Sequence, residues 1–287
     1  MKVVITAAGL GTRLLPATSV MPKVMLPLGK KPAIQYVVEE AVASGIKDII
    51  FIVGPDDTMI MDYFSGDKKE LIAELRKRGK NDYANELESI KKMANYEYIV
   101  QEDRLGLGDA VLRARKSIGN EPFAILYGDG PVIDADPPRL KQLIDVHNKY
   151  NGAPVIAAKM VPDHMVSKYG IIDYENIKGE KNVKLVKRIV EKPKPEDTES
   201  RCAISAGCIL TPDVFDILAK LKPGVGGEIQ LADAQNKLAG MKEVYAVLYN
   251  GERLDVGNEL SYAQATVEMA LRNVKGFEEW LEQRYEQ

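Results

Sequence analysis

A chain of 287 residues that is 45% hydrophobic and 28% charged carries enough apolar material for a large buried core and has the make-up of a globular protein of one domain, or one with an appended subdomain, which argues against disorder. Its formal net charge of −3, from 39 Lys plus Arg against 42 Asp plus Glu, gives no overall positive field for nucleic acid or an anionic membrane, so a bound anion has to be held by local groups. Cys202 and Cys208 lack CxxC spacing and only two histidines accompany them, which gives no support to a zinc site or a disulfide framework. No apolar run approaches the ~18 to 20 residues that span a bilayer, and Met1-Lys2 leads straight into a strand without room for a leader. A cytoplasmic protein is expected, with neither a nucleic-acid nor a membrane partner.

The first element, Val3 to Thr6, is an apolar run that predicts a buried strand. It enters Ala7-Ala8-Gly9-Leu10-Gly11-Thr12-Arg13, and Met21-Pro22-Lys23 follows closely. Gly9 and Gly11 bring no side chains, so backbone N–H groups there approach a ligand closely. Leu14 takes the place of the third glycine of a dinucleotide fingerprint, and the distance from the glycines to Lys23 is too long for a Walker loop. A nucleoside triphosphate held by glycine backbone and two cations remains. The planar fork of Arg13 and the point charge of Lys23 suit different phosphates.

A helix near Pro32 to Ser44 and a strand from Asp48 to Val53 come next, and this alternation predicts parallel strands joined by crossover helices. From Lys68 to Ala94, Leu71, Ile72, Leu75, Leu87 and Ile90 recur at helical spacing among interleaved charges, with a break near Gly79 to Asp82. That pattern predicts a helical pair with a solvated outer face. Further strands are predicted at Tyr96 to Val100, at Phe123 to Tyr127 before Gly128-Asp129-Gly130, and at Pro154 to Met160. Ligands of such sheets sit beyond the strands' carboxyl ends, where the Gly9–Arg13 loop, Gln101 and Asp129 collect. Tyr169 to Lys192 reads as hairpin strands around Asn176-Ile177-Lys178-Gly179, forming an antiparallel subdomain. A helix starts at Thr211-Pro212-Asp213, and a helical region runs from about Leu260 to the end, with Trp280 and Tyr285 as packing or contact residues.

These strings resemble, in order, those of the sugar-phosphate nucleotidylyltransferases, most closely the bacterial and archaeal UTP–glucose-1-phosphate uridylyltransferases. The likeness rests on AAGLGTR and PKVMLP, Lys31-Pro32, Leu105-Gly106-Leu107-Gly108, Tyr169-Gly170, Glu191-Lys192-Pro193, Gly226-Gly227-Glu228-Ile229-Gln230-Leu231 and Asp255-Val256-Gly257, and it spans nearly the whole chain. The resemblance implies an α/β fold with a Rossmann-like, mostly parallel sheet, flanking helices and a small antiparallel sugar-binding subdomain. Within one domain, residues 1–160 would bind the nucleotide, 161–258 the sugar, and 259–287 would form C-terminal helices. The implied reaction joins UTP and glucose 1-phosphate into UDP-glucose with Mg²⁺ and release of pyrophosphate, in a homodimer or homotetramer. A dTTP-dependent or relaxed enzyme is a close alternative, and a silent regulatory binder of nucleotide sugars is one of another class.

By the same resemblance Arg13, Lys23, Asp129 and Lys192 carry the reaction, and Asp129 and Asp255 hold the metal. Ala8, Gly9, Gly11, Gln101 and Gly106 meet the nucleotide, and Gly170, Glu191, Lys192 and Glu228 meet the sugar. Gln101 offers an amide donor and a carbonyl acceptor, which match the mixed edge of uracil. The helical insertion between the second and third strands also looks like the uridylyltransferases. This chain departs from the pattern where Ser19 replaces lysine, Val24 glutamate, Asp109 histidine, and Gly130-Pro131 a second acidic residue; Ser205-Ala206-Gly207 also differs. Sugar and nucleotide preference stay open at this point.

Overall fold

The computed structural model describes residues 1–285. Nine strands make one continuous sheet: β1 Lys2–Thr6, β2 Asp48–Val53, β3 Asn95–Val100, β4 Phe123–Tyr127, β5 Val155–Met160, β6 Gly170–Asn176, β7 Val183–Glu191, β8 Cys202–Leu210 and β9 Tyr245–Leu248. Their spatial order is β3-β2-β1-β4-β8-β5-β9-β7-β6. In the first half β1 runs parallel to β2 and β4, and β2 parallel to β3, as the alternation of apolar runs and helices requires.

Beyond β4 the sheet is mixed, which corrects the expectation of a mostly parallel one. β8 enters antiparallel between β4 and β5, and only β9 alongside β5 restores a parallel pair. The predicted hairpin forms, yet it is no separate layer, because β7 bonds antiparallel to β9 and Ala203 of β8 pairs with Ile171 of β6. The physical reason is that β8, CAISAGCIL, is buried almost throughout, and a continuous apolar run carries no signal of strand direction.

Side chains alternate between the two faces. Val3 and Ile5 pack with Val37, Val38 and Ala41 of the helix Ala33–Ala43, while Val4 packs with Val111, Phe123 and Phe215 on the other side. The charged insertion forms helices Lys69–Lys77 and Asn81–Lys92, separated at Gly79, whose φ of +71° suits glycine. Arg76 bridges them to Glu88 at 2.8 Å, and Ile90 is buried, but Leu71 stays exposed. At the C-terminal end Asn258 caps the helix Glu259–Asn273 by accepting the Ser261 N–H at 3.1 Å, and Gly276 separates it from Phe277–Tyr285. Trp280 and Tyr285 are exposed.

Both cysteines are buried on β8 and unpaired, and burial pushes each thiol up to about 12. A thiol-reactive disulfide reagent at pH 8 is therefore expected to leave the native protein unlabelled and to label two thiols after unfolding in urea. Prompt labelling of folded protein would contradict this packing.

Candidate active site

A cleft of about 490 Å³ opens beyond the carboxyl ends of β1 to β4. Ala8, Gly9, Gly11, Arg13, Lys23, Gln101, Gly106, Asp129 and Glu228 all line it, so nine of the residues singled out from the sequence meet in one place. The strand ladder continues into its floor through Ala7 N–H to Ile52 O at 2.8 Å, Gly128 N–H to Thr6 O at 3.1 Å and Gln101 N–H to Val53 O at 2.8 Å.

After β1 the chain does not begin an α-helix. It makes three short 3₁₀ turns, Thr12–Leu14, Ala17–Ser19 and Lys23–Met25, which agrees with the argument against a dinucleotide fingerprint. Gly11 holds φ +65°, and a Cβ there would stand 3.3 Å from Lys23 Cβ; at Gly9 it would stand 3.4 Å from Lys23 Cε. The two glycines thus let the Lys23 stem run beneath the loop. Its ammonium pairs with Asp129. Burial alone would raise the Asp129 carboxyl, but Lys23 and Arg253 outweigh it and hold the group below its ordinary range.

Asp255 approaches from a distant segment. Leu254 N–H bonds to Pro131 O at 2.9 Å and Val256 N–H to Asp129 O at 3.2 Å, which sets Asp255 opposite Gly130. Its side chain lines a smaller cavity of about 190 Å³, with Lys159, Tyr169, Ser205 and Arg253, and not the large cleft. Arg253 Nη2 lies 3.5 Å from Asp255 Oδ1, which also accepts the Gly257 N–H at 3.0 Å. A Cβ at Gly130 would stand 2.8 Å from Arg253 Nε, so the missing side chain at 130 is the space Arg253 occupies. Asp255 and Asp129 raise the basicity of the Arg253 guanidinium against the burial that would lower it.

Among the described residues no group of three or more His, Cys, Asp or Glu forms a metal cage. Two carboxylates that rely on phosphate oxygens and water for the remaining positions are the donor set Mg²⁺ accepts, since it prefers hard oxygens and gives up its water reluctantly. The oxygen chemistry of Asp129 and Asp255 suits that ion, with Asp129 lining the large cleft and paired with Lys23, and Asp255 lining the smaller cavity beside Arg253.

Gly170, Glu191 and Lys192 lie outside the lining of the large cleft. Gly170 pairs with Glu191 in the β6–β7 register, and a Cβ at 170 would come within 3.1 Å of Glu191 Oε2. Lys192, at φ +47°, places Nζ 2.9 Å from Glu191 Oε1 and donates its backbone N–H to Tyr169 O at 3.1 Å. Tyr127 lines the large cleft, and burial pushes its hydroxyl up, with Cys208, Glu191 and Asp129 acting in the same direction and Arg253 against it. Glu228 lies beside Gly106, at the Gln101 end of the cleft.

Sequence reasoning missed Arg104, Tyr127, Lys159 and Arg253. Arg253 was within reach, because a spacing of two before Asp255 puts both on one face of extended chain. Arg104 had no comparable signal. It sits at φ +47°, and Gly54 makes room for it, a Cβ there lying 2.3 Å from Arg104 Nη2.

Residues 2–271 match the family described as Nucleotidyl transferase. The UTP–glucose-1-phosphate uridylyltransferase of Staphylococcus haemolyticus is 44% identical over 274 residues, covering 96% of this chain and 93% of its own. A UDP-glucose pyrophosphorylase solved with UDP-glucose superposes with a TM-score of 0.86 at 36% identity, covering 95% of this chain and 99% of its own. The UTP-bound enzyme from Acinetobacter baumannii gives 0.88 at 33% identity, covering 98% and 97%. With one match running nearly end to end and the glycine loop, lysine and strand-end aspartate gathered in one cleft, the chain belongs to the nucleotidyl transferase family.

Proposed function

We propose that this chain transfers the uridylyl group of UTP to glucose 1-phosphate, giving UDP-glucose and pyrophosphate. The observation that carries this is the convergence of Gly9, Gly11, Arg13, Lys23 and Asp129 on one cleft that Gln101 and Gly106 also line. The names of the relatives and the ligands of the structural neighbours support the same reading.

A phosphate oxygen of the sugar attacks the α-phosphorus and pyrophosphate leaves, so the protein's task is to position two anions and balance their charge. Backbone at Ala8, Gly9 and Gly11 meets the triphosphate, and Arg13 grips its β- and γ-phosphates and then the departing pyrophosphate. Lys23, tethered beneath the loop, moves from Asp129 to the α-phosphate or the sugar phosphate. Asp129 and Asp255 would hold Mg²⁺, which when bound supplies neutralisation of the phosphate charge. Gln101 and Gly106 read the base. Gly170 and Glu191 hold sugar hydroxyls, Glu228 adds a carboxylate to the sugar contacts, and Lys192 pairs with the sugar phosphate. In this reading residues 1–160 serve the nucleotide, 161–258 the sugar, and 259–287 form the C-terminal helices of one domain.

The protein is further proposed to act in the cytoplasm as a homodimer or homotetramer. No described helix is long and apolar enough to cross a membrane. Leu260, Val267, Leu271 and Trp280 on the terminal helices are exposed, as contacts between copies require.

Lys192→Ala is expected to raise the KM for glucose 1-phosphate ~10-fold or more and to leave the KM for UTP within about twofold, since a charge-assisted contact is lost on one substrate only. Steady-state kinetics with each substrate varied in turn checks this, and an unchanged sugar-phosphate KM contradicts the role. The activity itself is tested by pyrophosphate release across UTP, dTTP and other triphosphates against several sugar 1-phosphates. UTP with glucose 1-phosphate is expected to lead; a dTTP preference would replace the nucleotide assignment, and no release from any pair would make the chain a silent binder.

A further inference from the structure

Gln101 follows β3, and although only 4% exposed it lines the large cleft. Its Nε2 donates two hydrogen bonds, to Gly106 O at 3.0 Å and to Asp109 Oδ2 at 2.8 Å. Both partners are acceptors without a hydrogen to give. Reversing the amide would set Oε1 against two oxygens, so the orientation is fixed by chemistry. With both Nε2 hydrogens engaged, Oε1 is the polar atom left to face a ligand. Asp109, on the helix Leu107–Arg113, is itself buried, and Arg113 Nε lies 3.3 Å from its other oxygen. Turning either side chain away would strand a buried polar atom.

We propose that Asp109 is a positioning residue for base selection, an inference that rests on the uridylyl-transfer reading. By locking Gln101, it makes the side chain offer an acceptor and no donor to the base. Uracil N3–H donates to that oxygen, whereas cytosine N3 sets a lone pair against it. Thymine shares the N3–H, so Asp109 separates UTP and dTTP from CTP and does not separate them from each other.

The test is the ratio of kcat/KM for UTP over CTP in the wild type and in Asp109→Asn. A site built to bond a ring N–H rejects the base lacking it by ~100-fold or more, and this is the wild-type expectation. Asparagine can present its NH₂ as well as its oxygen to Gln101, which leaves Gly106 O alone to hold the amide and lowers the cost of its reversal. In the variant the ratio is expected to fall about tenfold or more, through KM for the triphosphates and with little change in kcat for UTP. A purely structural role lowers both rates together and leaves the ratio unchanged, which would overturn the proposal. Should the variant fail to fold, 3-methyl-UTP, in which a methyl group replaces the N3 hydrogen, tests the wild type. Rejection of this analogue is expected, and turnover equal to that of UTP overturns the locked acceptor. If the wild type turns over no triphosphate, the uridylyl reading fails separately, and equilibrium affinities for UTP and CTP become the readout: equal affinities overturn the proposal and a UTP preference lost in Asp109→Asn upholds it.

Discussion

Asp129→Asn is expected to lower kcat for pyrophosphate release from UTP and glucose 1-phosphate by about 10² to 10³-fold, with the far-UV circular dichroism spectrum unchanged. Asparagine keeps the shape and can still accept from the Lys23 ammonium, so the strand end and its loop have no reason to move. What disappears is the negative charge that faces Lys23 and Arg253 and that, in the proposed role, would be a hard, anionic donor for the metal. Lys23 is partly exposed and reaches water when released, so the unfolding midpoint shifts little. The pair also sets a sign for pH. Although burial opposes it, the carboxyl is held below its ordinary value by Lys23 and Arg253. Its contribution to stability is therefore full above the unfolded value of about 4 and is lost as the pH falls through the lowered folded value. Near-normal kcat in the variant would remove Asp129 from the reaction.

Glu40→Gln is expected to destabilise the protein by ~3–5 kcal/mol in urea unfolding followed by circular dichroism. Arg139 is fully buried, and Glu40 accepts from its Nε at 3.0 Å, from its Nη2 at 2.7 Å and from the Leu140 N–H at 2.9 Å. The neutral amide leaves a buried guanidinium without its counter-charge and turns a donor toward donors. Arg139 also donates to Ala206 O inside the β8 irregularity, next to the space shared by Gly130 and Arg253. Loss of the pair is thus expected to weaken turnover as well as stability. A change below ~1 kcal/mol would show that the pair is relieved by water or by repacking.

The parts of the fold legible in the sequence were those fixed by local apolar runs. Val3 to Thr6, Asp48 to Val53 and Phe123 to Tyr127 are strands at or within one residue of their expected limits, and the break near Gly79 separates two helices. Strand direction was not legible, because β8 is buried on both faces and its partners β4 and β5 lie far away in the chain. The glycine loop, Lys23 and Asp129 could be read because small residues and cations at a strand end leave few chemical uses. Arg104 could not, since it fills a space defined by a distant residue that lacks a side chain, Gly54; Arg253 carried a signal in its spacing from Asp255, but the room that Gly130 leaves for it shows only in the fold. Asp109 was visible as a departure from the family pattern. Its bond to Gln101 depends on how the loop folds back, and only the structure shows it.

Whether Asp129 and Asp255 together hold a divalent ion against a triphosphate cradled by residues 9–13 is decided by anomalous diffraction from crystals of the protein with UTP and Mn²⁺. A single strong peak about 2.1 Å from carboxylate oxygens of both aspartates is expected, with the triphosphate lying along Gly9, Gly11 and Arg13. A manganese peak bound to other residues, or a triphosphate seated away from that loop, would contradict it.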